Sequence, residues 1–140
     1  MNFGESLASI MIERDVSSQI LAANLGVSVV SVNRWKTGKI NIALSYLVML
    51  CQCFECSLDY LLGRTDTNIK PRRFEINNFG TQVRNVMKSK GITTYQLQNE
   101  TRYSGGYFYD WDNGADPKLS TLFELANYFK CSLDELVGLE

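Results

Sequence analysis

Phe3, Leu7, Ile10 and Met11 fall on one face at helical spacing, which predicts a first amphipathic helix running to about Arg14. Asp15-Val16 forms the turn after it. Ser17 is placed to cap a short second helix, Ser18 to about Asn24, with Leu21 and Leu25 facing inward. Gly26 supplies the positive φ that ends this helix, and Val27 tucks back toward the core. Ser28 caps a third helix, Val29 to about Lys36, whose Val32 and Trp35 point inward before Thr37-Gly38-Lys39 stops it. Leu44, Leu47, Val48 and Leu50 mark a fourth helix, and Leu58, Leu61 and Leu62 a fifth that Gly63 ends.

The pattern then repeats. Phe3-Gly4 returns as Phe79-Gly80, Leu21 as Leu97 and Trp35 as Trp111, an offset of 76 residues. After one deletion, Cys56-Ser57-Leu58-Asp59 returns at an offset of 75 as Cys131-Ser132-Leu133-Asp134. A unit of that length is too long for a solenoid repeat and describes two copies of one small helical domain. The boundaries are a first domain over residues 1–65, a linker over 66–77 and a second domain over 78–140.

Charge changes this picture only locally. The chain has a net charge of −1, so the whole molecule gives no electrostatic hint of a nucleic-acid partner. The segment Ser28–Lys39, however, holds Arg34, Lys36 and Lys39 and no acid. No apolar run approaches membrane-spanning length, and the start of the chain lacks the basic-then-apolar layout of a signal peptide, so a cytoplasmic location is expected. Cys51, Cys53 and Cys56 scatter around a helix axis and no histidine exists to complete a site, so no metal or other cofactor is expected. Without histidine, a nucleophile elbow or a phosphate-cradling glycine loop, enzymatic activity finds no support either.

A short helix ending in Leu25-Gly26-Val27, a Ser-capped third helix and a core Trp35 make a helix-turn-helix pattern. With Phe3-Gly4-Glu5, Ala22, Gly38, Leu44, Ser57-Leu58-Asp59 and Leu61-Leu62-Gly63 in order, residues 3–63 resemble the five-helix DNA-binding domain shared by phage lambda repressor, Cro and the xenobiotic-response-element regulators. The expected fold is therefore all-α, two tandem lambda-repressor-like helix-turn-helix domains. The copy departs from the family at two places: Ser18 stands where a phosphate-bracing Gln is usual, with Gln19 displaced by one, and Ile42 replaces the frequent Pro before the fourth helix.

With Val32 and Trp35 fixing its roll, the third helix turns Val29, Val30, Asn33 and Arg34 outward, and the resemblance makes these the base readers. Arg can grip the O6/N7 edge of guanine, Asn can bond adenine, and Val can pack on a thymine methyl. Lys36, Thr37 and Lys39 suit phosphates, and the helix starts at Ser17, Ser18 and Ser28, with Gln19, add further backbone contacts.

The second copy keeps the apolar skeleton and a Pro117 before its fourth helix, but loses the recognition surface. Thr101-Arg102-Tyr103 replaces Leu25-Gly26-Val27, and the reader positions become Gly105, Gly106, Tyr109 and Asp110. Asp110, Asp112 and Asp116 stand where cations would face phosphates, which is repulsive. Tyr107 and Tyr109 are expected to face outward, for dimer or partner contact, for packing within the protein, or for an altered nucleic-acid contact. Lys70-Pro71-Arg72-Arg73 in the linker can touch phosphates or stay solvated.

These features imply a sequence-specific transcriptional regulator of the phage or mobile-element repressor type, whose partners are double-stranded DNA and a second copy in a homodimer. The acidic second copy favours a palindromic operator. The competing reading is a protein-interaction module that reuses the fold, such as an antirepressor, an antitoxin or a host-factor inhibitor.

Overall fold

Most helices begin where the sequence supplies an oxygen to cap them. In the computed structural model, which describes residues 2–139, Ser17, Ser28 and Ser57 accept the N–H groups of Ile20, Ser31 and Tyr60 at 3.2, 3.1 and 3.1 Å. Such a cap is worth about 1 kcal/mol. They open α2 (Ser18–Leu25), α3 (Val29–Thr37) and α5 (Leu58–Leu61), which with α1 (Phe3–Glu13) and α4 (Leu44–Phe54) make the first domain. The second domain repeats the order as α6 (Phe79–Lys90), α7 (Thr94–Glu100), α8 (Gly105–Asp112), α9 (Leu119–Phe129) and α10 (Leu133–Val137). The described residues are thus all-α, as expected, with one isolated antiparallel bridge between Ala43 and Lys118.

The repeated Phe-Gly pair has a packing reason. Phe3 and Phe79 enter the core, and the glycine after each lets the first helix approach the end of the third. A Cβ on Gly4 would overlap the Lys36 carbonyl oxygen and lie 2.9 Å from the Gly38 nitrogen. Gly26 ends α2 at φ 68°, the left-handed conformation the turn into α3 requires. In the second copy, Thr101 makes this turn in extended conformation, and its hydroxyl accepts the Tyr103 N–H at 3.1 Å. Tyr103 then drops fully into the core, where Val27 of the first copy is only half-buried.

The two domains meet through α4, α5, α9 and α10, and their apolar cores form one cluster. The Leu44 N–H donates to the Pro117 carbonyl and the Leu119 N–H to the Ile42 carbonyl, both at 2.8 Å. Neither α4 nor α9 is capped by the side chain that precedes it. The other domain caps them instead. Asp116 accepts the Ser45 N–H at 3.1 Å and the Ser45 hydroxyl, while Asn41 accepts the Ser120 N–H at 3.0 Å and donates to the Ser120 hydroxyl at 2.8 Å.

The connector is pinned rather than loose. Arg64 pairs with Asp59 at 3.3 Å and lies over the Phe123 ring, Lys70 pairs with Glu55 at 2.8 Å, and Pro71 is buried. Of the linker cations Lys70, Arg72 and Arg73, Lys70 is therefore already engaged, which leaves Arg72 and Arg73 exposed without an ion pair among the described residues.

Candidate nucleic-acid interface

Val32 and Trp35 are buried, and α3 rests against α1 and α2, so its outer face is set by packing rather than by its own preferences. Val30 is 59% exposed, and Asn33, Arg34, Thr37 and Lys39 are exposed as well. None of the described residues of the second domain buries this stripe. Val29 is the exception among the expected readers: it is half-buried and packs on the core, so only part of its side chain is available outside.

Ser18 links α2 to α3. Its hydroxyl donates to Asn33 Oδ1 at 3.0 Å and accepts from Lys36 Nζ at 3.4 Å, tying the start of α2 to the outer face of α3. The bond leaves the Asn33 amide N–H groups and one oxygen lone pair outward, the pair of functions that an adenine edge needs. Thr37 turns its hydroxyl back onto the Arg34 carbonyl at 2.8 Å, which fastens the end of the helix. Arg34, Lys36 and Lys39 have no acidic partner among the described residues. Ser17 and Ser28 are occupied as caps, and Gln19 is exposed beside them.

The equivalent surface of the second copy is less acidic than its composition implies. Arg84 grips both carboxylate oxygens of Asp112 at 2.7 Å and holds that carboxyl below the usual range. The same guanidinium lies over the Phe108 ring. Asp116 caps α4 across the domain boundary while remaining exposed. Asp110 and Asp116 are then the acids of this segment that are exposed without an ion pair among the described residues. Of the three acids expected to repel phosphates, Asp112 is thus paired with a cation and Asp116 accepts hydrogen bonds from Ser45, both partners lying far away in sequence.

The aromatic cluster divides in a similar way. Tyr109 is 70% exposed, whereas Tyr107, at 37%, leans on Tyr103 and Trp111 with ring centroids 4.8 and 5.9 Å away. Tyr103 is secured from the other side, its hydroxyl donating to Glu124 at 3.0 Å.

Two helix-turn-helix units with the same core and connectivity, one carrying an uncovered cationic third helix, agree with a comparison against known families. The model of the Cro/C1-type HTH DNA-binding domain matches the chain twice, over residues 6–66 and 82–140. The chain belongs to that family. No curated protein and no solved structure matches it. As a Cro/C1-type protein it is a DNA-binding regulator in general character, and no helix among its described residues is long and apolar enough to cross a membrane. Sequence reasoning missed the residues Asn41, Asp59, Asp116 and Asp134 that join the two Cro/C1-type units. Their one available signal was that Asp59 and Asp134 recur together at the same helix start.

Proposed function

We propose that this protein is a sequence-specific transcriptional regulator of the phage or mobile-element repressor type, acting in the cytoplasm without catalysis, whose first domain reads the major groove. The observation that carries the reading is the outer face of α3. Asn33 and Arg34 stand exposed there, with Lys36 and Lys39 flanking them, and none of the three cations is neutralised by an acid of the described residues. A helix with fixed roll and free donors at its surface has what is needed to distinguish base pairs by their major-groove edges.

Titration of random and selected duplexes at two salt concentrations tests this. A DNA reader loses affinity steeply as salt rises, and a selected sequence keeps an advantage over random duplex at both concentrations. Binding that is absent at low salt would rule the reading out.

Tyr109, with most of its ring in water, favours a second reading in which this face of the second domain contacts another protein. In that case the same titration shows almost no affinity for any duplex. The homodimer expected from the sequence would have to pair through a surface other than residues 41–45 and 57–59, whose bonding groups are engaged between the two domains.

A further inference from the structure

The bonds between the two domains form matched pairs. Asn41 bonds Ser120, and the counterparts of those residues, Asp116 and Ser45, bond each other. The Leu44 N–H meets the Pro117 carbonyl, and its counterpart, the Leu119 N–H, meets the Ile42 carbonyl. Asp134 accepts the N–H groups of Leu58 and Asp59 at 2.7 and 3.0 Å, and Asp59 accepts those of Leu133 and Asp134 at 3.2 and 3.0 Å. In every case the counterpart lies 75 residues further along the chain, the separation at which Asp59 and Asp134 themselves bond. Contacts in which i meets j while the counterpart of j meets the counterpart of i define an isologous, two-fold interface. One chain has therefore folded as a pseudo-symmetric dimer of its own halves.

The same two-fold relates α3 to α8. A two-fold protein on duplex DNA sets one recognition helix on each half-site, because the backbone of the duplex has matching two-fold symmetry. Here the two helices are unlike. α3 offers Asn33 and Arg34 with Lys36 and Lys39 free. α8 offers Gly105, Gly106, Tyr109 and Asp110, which lack a cation, while the Arg84–Asp112 pair and the engagement of Asp116 by Ser45 reduce the repulsion that would keep this half away from phosphates.

We infer that a single chain is the complete DNA-binding unit and that its ligand is an asymmetric duplex. One half-site is specified through α3, and the two-fold-related half is approached by α8 with little base discrimination. This rests on the DNA-reading function proposed above. It replaces the palindrome that two chains would require with a site informative on one side.

The test uses the full chain. Light scattering at micromolar concentration, without DNA, should give the mass of one chain, 15.9 kDa; twice that mass overturns the inference. Selection from a random duplex pool, followed by stoichiometric titration, should give one chain per duplex and a consensus with a single informative half. Two chains on a palindrome with half-site centres about 10 base pairs apart overturn it. Placing the first copy's readers on the second, as Tyr109→Asn with Asp110→Arg, should make the selected site two-fold symmetric while one chain still binds it; an unchanged consensus counts against the inference. Loss of all duplex binding by the unaltered chain would defeat the proposed function itself, and the mass measured without DNA would still judge the pairing of the halves.

Discussion

Asp59 and Asp134 cap each other's helices. Each sits in the first turn of α5 or α10, and each carboxylate accepts two backbone N–H groups from the start of the opposite helix. Both carboxylates also face the other near the two-fold, where two full charges in a half-buried setting are unfavourable. Burial, and then the hydrogen bond with Asp59, pushes Asp134 up to about 7. Burial also pushes Asp59 upward, but the bonds from Asp134 and Leu133 and the nearby Arg64 outweigh it, leaving Asp59 below its ordinary value. Below about pH 7 the proton favoured by this pair therefore lies on the Asp134 side.

Stability should therefore fall as pH rises from about 4 to about 7. The unfolded chain gives up the Asp134 proton near the ordinary value of about 4, whereas the folded protein keeps it until about 7. Asp59 acts in the opposite sense and takes stability away only below about pH 4. With partial exposure discounted, the slope across the upper window amounts to about 1–2 kcal/mol. Urea unfolding between pH 4.5 and 8 measures it. Asp134→Asn, which keeps a donor toward Asp59 and cannot titrate, should flatten the curve; an unaltered slope in that variant assigns it to another group.

Gly4→Ala and Gly80→Ala should differ although they occupy equivalent positions. At Gly4 the new methyl meets the backbone of Lys36 and Gly38, which can move only by shifting α3. Overpacking of this kind costs about 2–3 kcal/mol, and it should also weaken DNA binding. At Gly80 the methyl meets the Asp112 carboxylate, a side chain that can swing away if its exposed pair with Arg84 is given up. That costs about 1 kcal/mol. Thermal melts of the two variants, with duplex titration of each, check the order.

Gly105 and Gly106 have open space around the position of a Cβ, and neither has a positive φ. Nothing within the protein demands glycine there. Alanine at either site should stabilise the fold by about 0.5–1 kcal/mol, read as a higher melting temperature. A fall in melting temperature would mean that α8 relies on a conformation only glycine adopts.

Arg34→Ala and Lys39→Ala should separate reading from holding. Loss of Arg34 removes a bidentate base contact and should erase about tenfold or more of the preference for the selected site over random duplex. Loss of Lys39 should weaken binding to all duplexes alike and lower the slope of log affinity against log salt by about one contact. Competition titrations over a salt series report both quantities.

Much of the site was legible beforehand because it depends on local periodicity. Val32 and Trp35 lie three residues apart on a capped helix, which is sufficient to turn Asn33 and Arg34 outward wherever the helix packs. Val29, expected to face outward, is half-buried for the same reason. It stands at the edge of the apolar stripe, and periodicity places the middle of a face better than its border.

The sequence by itself determined two copies of a five-helix unit, the helix starts and stops, and the exposed cationic face of α3. Apolar spacing and capping residues act within a few turns of the chain, so these features need no knowledge of distant parts. Only the tertiary structure decided what the charges do. Asp112 is held by Arg84, Asp116 serves α4, Lys70 holds Glu55, and Asp59 and Asp134 join two domains across a two-fold. A carboxylate at a helix start looks the same in sequence whether it faces water or another helix. Its partner is chosen by how two packed domains meet, which no local pattern encodes.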